Sequence, residues 1–540
     1  MIADIVMTNG EVLTMDENNR IDEAVAIKSN KIIAVGKNSE MSSFISDQTK
    51  LINLEGRTLL PGFIDAHLHL TIYGTNLLSV SCKASHIKSL NDIFKDLKKK
   101  CQETPKGEWV RAWGFKEDAL LEKRFPTKQE LDQISTEHPI VIIRTCNHTS
   151  IANSKALEIA GINEHTKNPD GGILERDCLG LLTGKLIENA HMQLFEHAAY
   201  SSEELKEGMA LASDDFVKYG ITSVHDAGAY GDGGETMRMM QEAVNENKVK
   251  VRVYAIVGSL TNSHDFVRNM INEGKFSGQG DNRFRIGPAK LFTDGSSTGP
   301  TIATREGYTH NPKDFGVIYY EQEELNRILG EAHDNGFQIT AHAQGDKAIE
   351  MVLNCIEEAL KKNPRENHRH RIEHAGIAAP DLQERIKNLG VIPIPNPGFI
   401  YVNGDHYKEY YGDRVNVMYP AKDYLDKGII IAFGSDTPVI DLDPLLGIHS
   451  AVNRKSSSGN PIGDEQSIGV LDAIRAYTWN GAYASFEENI KGSIETGKLA
   501  DLTILNESIL NKPINQIKDM FVEKTMINGE FVYSCPQKVL

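Results

Sequence analysis

The sequence lacks the features that mark membrane, secreted and zinc-finger proteins. It contains no run of ~20 apolar residues, so no transmembrane helix is predicted. Its first residues, MIADIVMTNGEVLTM, have no basic stretch followed by an apolar one, so no secretory signal is expected. Its six cysteines are widely spread, and none has CxxC or CxxH spacing. Free thiols in a reducing cytoplasm are therefore the simplest expectation.

Basic residues are also in deficit. There are 58 Lys and Arg against 75 Asp and Glu, a formal net charge of −17. Nucleic acids and anionic membranes bind basic surfaces, so neither is the expected partner. Hydrophobic residues make up 40% of the chain and charged residues 25%, which is ordinary for a soluble globular protein. At 540 residues, the chain far exceeds the ~150 typical of one domain, which predicts one large domain with appendages.

Both ends of the chain have the pattern of β-structure. Short apolar runs flank turn dipeptides that favour hairpins, namely Asn9-Gly10, Ser29-Asn30 and Asn528-Gly529. We therefore expect residues 1–60 and 490–540 to form one composite β-sandwich. Two separate β appendages are the alternative.

The middle of the chain alternates predicted strands with predicted helices. From Phe63 to Phe433 we count eight strands, the last over Ile429–Phe433, which predicts an α/β fold, a (β/α)8 TIM-like barrel. Residues 61–76 and 217–489 would form this barrel. Residues 77–216 do not follow the alternation, and we interpret them as an insertion after the first strand that caps the active site.

A group of histidines falls where such a barrel places its chemistry. In PGFIDAHLHL, His67 and His69 point to the same side of a strand end and can share a metal ion. His342, His374 and Asp436 also follow predicted strands, and the carboxyl ends of barrel strands carry function. These five residues predict a metal site. Histidines satisfied by ordinary hydrogen bonds are the alternative for an isolated His-x-His pair.

Lys290 lies in the fourth predicted strand. A charged lysine inside a barrel mouth is costly, and neighbouring cations would lower its pKa. A neutral amine reacts with carbon dioxide, and the resulting carbamate can bridge two metal ions. An ion pair of Lys290 with Asp294 or with a substrate group is the alternative.

Asp436 has two predicted roles, as a metal ligand and as the general base and acid. A bound metal lowers the pKa of water towards ~7, so metal-bound hydroxide can attack a carbonyl carbon. Asp436 would accept the proton of the water and deliver it to the leaving nitrogen. A helix N-cap in Ser435-Asp436-Thr437-Pro438 is the structural alternative.

These segments resemble a known family. PGFIDAHLHL, KLFTDGSSTGPTIA, ITAHAQGDKAI, HRIEHAG and AFGSDTPV are similar to the metal-site strands of the amidohydrolase superfamily, and GKLADLTILN and MINGEFVY to its terminal sheets. CNHTSIANSKAL and GGILERDCLGLLTGKL resemble amidohydrolase family 3, the branch that contains N-substituted formamide deformylases. The resemblance implies metal ligation by His67, His69, His342, His374 and Asp436. It places Lys290 at the position of a carboxylated lysine.

The resemblance implies one or two divalent metal ions per chain. Zinc is the commonest, with iron or manganese as alternatives. The predicted activity is hydrolysis of a carbon–nitrogen bond in an amide or N-formyl compound, a small-molecule substrate. A mononuclear deaminase of a cyclic amidine and a catalytically inactive scaffold of the same fold are the alternatives. A homodimer is only a base-rate expectation.

Three residues are weaker predictions for substrate binding. His148 lies in the insertion within a recurrent family segment, Gly172 follows on a turn, and His225 ends the second predicted strand. For each of them a hydrogen-bonded structural role is an equal alternative.

Overall fold

The computed structural model describes residues 1–83, 87–145, 149–228, 233–258 and 265–536. The chain divides into two compact units. The first comprises Met1–Leu70 with Ser213–Leu540, and the second comprises Thr71–Ala212.

A sheet of parallel strands forms the centre of the first unit. Among the described residues it has seven strands, each paired in parallel with the next along the chain. Side chains along these strands are almost all buried, as expected for a parallel sheet covered on both faces. In chain order, the seven barrel strands are Phe63–Leu68, Ile221–Asp226, Arg252–Val257, Phe284–Phe292, Ile339–Ala343, Arg371–His374 and Ile392–Ile394.

The eighth predicted strand is absent as a regular strand in the described structure. Residues 429–433 nevertheless lie between the seventh and first barrel strands, where the amide of Ala432 donates to the carbonyl of Pro393 and the amide of Ala66 donates to the carbonyl of Phe433. Pro393 and Pro395 have no N–H, so they can accept from this segment but cannot donate back. Residues 429–433 therefore form only part of the hydrogen-bond ladder of a regular strand. The barrel is nearly closed without an eighth strand.

Helices cover the barrel strands. The helix Ser202–Phe216 begins in the unit Thr71–Ala212, ends in the first unit and precedes the second strand. The Ser201 and Glu204 side chains each accept from the other's backbone N–H. No helix in the described ranges is long and apolar enough to cross a membrane. The remaining α-helices of this unit are Gly233–Asn245, Asp265–Asn272, Gln322–Asp334, Asp346–Lys362, Pro380–Leu389, Gly398–Tyr411, Ala421–Asp426, Pro444–Asn453, Val470–Ala476 and Trp479–Ala484.

Two further sheets contain the chain ends. One has four strands, in the spatial order Lys31–Gly36, Ala24–Lys28, Ile5–Thr8 and Lys50–Asn53. The other has six strands from both ends, in the order Glu530–Ser534, Val522–Ile527, Leu502–Leu505, Thr58–Pro61, Glu11–Leu13 and Ile21–Asp22. Buried residues of both sheets and both chain ends share one hydrophobic core, including Met7, Val25, Leu502 and Met526.

Two of the three predicted hairpins are confirmed and one is wrong. The strands on either side of Ser29-Asn30 pair antiparallel, and so do those on either side of Asn528-Gly529. At Asn9-Gly10 the flanking strands do not pair, because the chain passes there from the four-stranded sheet to the six-stranded one. Burial of each strand in a different sheet outweighs the local hairpin preference of this dipeptide.

The unit Thr71–Ala212 contains a six-stranded sheet of its own. Alternate residues of Ile140–Arg144 pack on opposite faces, since Ile140 and Ile142 belong to one buried cluster and Val141 and Ile143 to another. The sheet order is Gly172–Arg176, Leu182–Glu188, Thr149–Ala152, Ile140–Arg144, Val110–Phe115 and Val80–Ser81. The helices are Leu70–Leu78, which begins one residue before the unit, Leu90–Glu103, Lys128–Asp132, Ser154–Ile159 and Asn189–His197.

Candidate metal centre

Four histidine rings come together at the carboxyl ends of the barrel strands. His67 lies near the end of the first strand and His69 directly after it, while His342 and His374 lie at the ends of the fifth and sixth. The ring centroids of His67 and His374 are 4.6 Å apart, and those of His342 and His374 are 4.5 Å apart. His69 adjoins His67 at 5.6 Å. The parallel arrangement of the strands produces this cluster from residues far apart in sequence.

Each ring has one nitrogen held by a hydrogen-bond acceptor. His67 Nδ1 lies 2.5 Å from a carboxylate oxygen of Glu373, and His69 Nδ1 lies 2.7 Å from the carbonyl oxygen of Gly228. His374 Nδ1 lies 2.6 Å from the amide oxygen of Asn396. His342 uses its other nitrogen, Nε2, which lies 2.9 Å from a carbonyl oxygen. Such contacts fix which nitrogen remains available to a metal ion.

Asp436 brings a carboxylate to the same place. Its Oδ1 lies 3.4 Å from His67 Nε2 and 3.3 Å from His69 Nε2. One ligand atom from each of these three residues lies within 4.8 Å of the others. His67 Nε2 is buried and has no hydrogen-bond partner among the described residues. Two imidazole nitrogens and a carboxylate oxygen at this spacing suit a divalent cation.

Backbone contacts hold Asp436 against the first strand. Its N–H donates to the carbonyl of His67 at 2.7 Å. Asp65 lies two residues before His67 on the first strand. Its carboxylate accepts from the backbone amides of both His67 and Ser435. Asp436 has φ +60° and His374 has φ +70°, which is costly backbone for residues with a Cβ. Left-handed backbone at non-glycine residues is concentrated at functional sites.

The protonation states of the site match metal binding. Burial lowers the pKa of His342 to about 3, although the hydrogen bond to the carbonyl of Gly295 acts to raise it. Burial, helped by the neighbouring rings of His342 and His67, also lowers the pKa of His374 well below its usual value. Burial raises the pKa of Asp436, but the adjacent rings of His67 and His69 outweigh it and hold that pKa well below the usual range. Neutral imidazoles and an ionised carboxylate are the forms that bind cations.

Lys290 points into the barrel from the fourth strand. Its Nζ donates to the carbonyl of Ala227 at 3.3 Å and lies 4.6 Å from the centroid of the Phe292 ring. Burial lowers the pKa of Lys290 to about 8, although the charges of Glu373 and Asp436 favour its protonated form.

Asp294, the alternative partner for Lys290, has neighbours of its own. Its carboxylate accepts from the backbone amides of Ala303, Gln344 and Gly345. Burial raises the pKa of Asp294 to about 7 despite these bonds. Its oxygen also lies 3.5 Å from His342 Nε2, so this carboxyl belongs to the surroundings of the fifth-strand histidine.

The weaker predictions fall in three different places. His225 is fully buried, and its Nδ1 lies 2.9 Å from a guanidinium nitrogen of Arg371. Gly172 begins a strand of the unit 71–212, where a Cβ would come within 2.4 Å of the amide of Ala190. His148 lies outside the described residues. Their substrate contacts stay predictions.

Sequence reasoning missed the residues that anchor the histidines. The sequence pattern places Glu373 in a predicted strand without assigning it a role, and it does not single out Asn396. A carboxylate directly before His374, inside an otherwise buried strand, was the one available signal, because buried carboxylates need a partner. Asn396 gave no comparable signal.

A cavity of about 440 Å³ lies elsewhere, beside the amino-terminal ends of the third and fourth strands. Arg252, Arg283 and Arg285 line part of it. Arg252 is already bound there by both carboxylate oxygens of Asp501. The histidine cluster is at the other strand ends, so this cavity is separate from the candidate metal centre.

Comparison with known proteins shows the family of this chain. A model of the amidohydrolase family matches residues 50–533. The chain is 32% identical to the putative amidohydrolase YtcJ of Bacillus subtilis, over 97% of this chain and 98% of that protein. It is 28% identical to an N-substituted formamide deformylase of Arthrobacter pascens, over 98% of both chains. Among solved structures, an uncharacterized metal-dependent hydrolase of Pyrococcus horikoshii superposes with a TM-score of 0.79 at 26% identity, covering 94% of this chain and 99% of that one.

Proposed function

The chain belongs to the amidohydrolase family, and on that premise we propose that it is a metal-dependent hydrolase of a carbon–nitrogen bond in an amide or N-formyl compound. The observation that carries the proposal is the set of four imidazoles, each with one ring nitrogen held, around the carboxylate of Asp436. The likeness to an N-substituted formamide deformylase supports the N-formyl class of substrate.

The residues present fit one cation and leave ligands for a second. His67, His69 and Asp436 would hold the first, and the free nitrogens of His342 and His374 would serve the second. Nitrogen and carboxylate donors suit zinc. When bound, a divalent cation would polarise the scissile carbonyl and lower the pKa of water.

Asp436 is the proposed acid and base. It takes a proton from the attacking water and gives it to the leaving nitrogen as the carbon–nitrogen bond breaks. The products are a carboxylic acid and an amine, and for an N-formyl compound the acid is formic acid. The bonds that hold the Asp436 backbone to the first strand fix its carboxylate beside His67 and His69. Asp436→Asn is expected to lower kcat by about 10²–10⁴-fold.

Lys290 is the proposed bridging group. Its lowered pKa makes the neutral amine accessible near neutral pH. The amine nitrogen bonds to the carbon of carbon dioxide and loses a proton, which leaves an anionic carbamate. This group adds two oxygen donors where a cationic lysine would repel a metal ion.

Metal content measured by elemental mass spectrometry tests the proposal first. We expect about two metal ions per chain in the intact protein and fewer in Lys290→Ala, with partial recovery of activity in short carboxylic acids. Lys361→Ala, on the exposed face of the helix Asp346–Lys362, is the control and should leave metal content unchanged. One metal ion per chain, unaffected by Lys290→Ala, would contradict the bridging role.

Product analysis tests the reaction class. Formamides, other amides and cyclic amidines are incubated with the metal-loaded protein, and carboxylic acid, amine and ammonia are all quantified. We expect one carboxylic acid for each amine released from amides or formamides. Ammonia release from a cyclic amidine, with no turnover of any amide, would indicate a deaminase instead.

A further inference from the structure

A wholly buried carboxylate lies directly behind the metal centre. Glu373, on the sixth barrel strand, has 0% exposed surface. One oxygen accepts from the Thr340 hydroxyl and from Arg371 Nε, both at 2.8 Å. The other lies 2.5 Å from His67 Nδ1 and 3.0 Å from another nitrogen of Arg371. Four donors therefore saturate this carboxylate, so it is not itself free to bind a metal ion.

The contact with Glu373 determines which nitrogen of the His67 ring carries the proton. Because a carboxylate accepts only, His67 Nδ1 carries a proton, and in the neutral ring Nε2 then keeps its lone pair. That Nε2 is the buried, unpartnered atom beside Asp436. A carboxylate behind a ligating histidine fixes the tautomer and the ring orientation, and makes the ring a stronger donor.

Arg371 holds Glu373 in place. It is also fully buried, and it makes two bonds to the carboxylate of Glu373. A third nitrogen–oxygen contact, 2.7 Å to the carbonyl of Ala66, ties the guanidinium to the backbone beside His67. A buried arginine satisfied in this way cannot rotate without leaving a charge unpaired.

His225 completes the arrangement from the second strand. Its Nδ1 accepts from Arg371 at 2.9 Å, and its ring packs against Tyr254. Burial and the charge of Arg371 hold the pKa of His225 well below its usual value, so the ring stays neutral and can accept. The chain of contacts His225–Arg371–Glu373–His67 therefore crosses the barrel interior beneath the metal centre.

We propose that Glu373, clamped by Arg371, is a positioning residue that sets the tautomer and orientation of His67 for metal binding, and that His225 supports the clamp. This inference rests on the proposed function in one respect, that His67 is a metal ligand. A purely structural ion pair would stabilise the fold without acting on the metal ion.

Zinc affinity separates these two roles. The dissociation constant is measured on metal-free protein by competition with a chromophoric chelator, and urea unfolding of the same metal-free protein gives its stability. Glu373→Gln keeps an oxygen acceptor for His67 but removes the charge, and we expect zinc affinity to fall by about 10–100-fold. Thr340→Val removes one neutral donor to Glu373, and we expect a smaller loss of zinc affinity than in Glu373→Gln. Thr222→Val, the same substitution at a buried site of the second strand, removes a hydroxyl that donates to the carbonyl of Phe63 and should leave zinc affinity unchanged.

Combining Glu373→Gln with the loss of one proposed ligand shows through which histidine Glu373 acts. If Glu373 acts through His67, Glu373→Gln should no longer lower zinc affinity in His67→Ala, yet should keep its full effect in His69→Ala. Equal losses in both backgrounds would overturn the proposal. If Glu373→Gln does not fold, Thr340→Val decides, because lower stability with unchanged zinc affinity would leave only the structural role.

Different patterns of zinc affinity would refute the positioning role of Glu373 and the proposed metal centre. Loss of zinc affinity in His69→Ala with none in Glu373→Gln would remove the positioning role alone. Unchanged zinc affinity in both His69→Ala and His67→Ala would remove the metal centre, and the positioning role with it.

Discussion

At the scale of single residues, close approach between two backbones sets the geometry of the metal centre. Gly434 lies against the first strand so closely that a Cβ on it would be 2.6 Å from the Cβ of His67 and 2.7 Å from its amide nitrogen. Real Cβ atoms do not approach main-chain atoms so closely, so either His67 or the segment that carries Asp436 would have to move. Only glycine permits His67 and Asp436 at their present separation.

Gly434→Ala should therefore damage metal binding. We expect zinc affinity and kcat to fall by at least about tenfold, because small displacements of ligands are costly in a preorganised site. Chelator competition and steady-state kinetics measure both. Gly330→Ala is the control, since a Cβ there meets nothing within 4 Å inside the helix Gln322–Asp334. It should stabilise slightly and leave zinc affinity unchanged, and equal behaviour of the two variants would contradict the close-approach argument.

At the scale of elements, one side chain of the unit 71–212 joins a helix to a strand. Asn153 is fully buried at the start of the helix Ser154–Ile159, and its oxygen accepts from the amides of Ala156 and Ile140, both at 2.9 Å. Its amide nitrogen donates to the carbonyls of Ser135 and His138. All four bonds are internal, so the structure gives this side chain a capping role.

Asn153→Ala is expected to destabilise the unit 71–212 by about 2–4 kcal/mol, because it removes a helix cap and leaves buried backbone groups unpaired. Urea unfolding and hydrogen exchange of this unit measure the loss. Thr127→Ala, at the exposed N-cap of the helix Lys128–Asp132, should cost only about 1 kcal/mol. A change in KM with unchanged stability would instead indicate that Asn153 contacts substrate.

At the scale of the whole molecule, buried histidines far from the metal centre make stability depend on pH. The amide of Ile339 donates to His370 Nδ1, so His370 Nε2 carries the ring proton and donates to His333 Nδ1 at 2.9 Å. His333 Nε2 in turn donates to the carbonyl of Asn363. Burial, with the neighbouring His368 and His333, holds the pKa of His370 well below its usual value, and burial also lowers the pKa of His333.

The sign follows from linkage. Below about pH 6.5 these histidines are protonated in the unfolded chain but stay neutral in the folded one. The free energy of unfolding therefore falls as pH falls through this value. His370→Gln removes one such group. Its plot of unfolding free energy against pH should be shallower between pH 6.5 and 5 by up to about 1.4 kcal/mol per pH unit.

Urea unfolding at several pH values measures this slope. The carboxyls whose pKa values burial raises act in the opposite direction and are common to all variants, namely Asp65, Asp226, Asp294, Asp346 and Asp443. His165→Gln is the control, because its side chain is exposed, and its slope should equal that of the unchanged protein. An unchanged slope in His370→Gln would mean that this histidine does not resist protonation in the folded state.

Much of the fold could be predicted because local signals act over short stretches. The apolar strands, the capping box at Ser201 and two of three hairpins depend on neighbours in sequence. The loss of the predicted eighth strand and of the predicted hairpin at Asn9-Gly10 could not be foreseen, because each depends on which distant segment lies alongside. Pro393 was visible in the sequence, but its effect on residues 429–433 required their pairing to be known.

The sequence by itself determined the kinds of chemical group and the strand ends on which they would lie. His67, His69, His342, His374 and Asp436 could be identified because period-two alternation and barrel topology put strand ends together. Only the tertiary structure decided which ring nitrogen each histidine leaves free, because the acceptors that decide it lie on other strands and loops: Glu373, Gly228, Gly295 and Asn396. Hydrogen bonds of this kind depend on distances of a few tenths of an ångström between segments hundreds of residues apart, and no local pattern in the sequence encodes them.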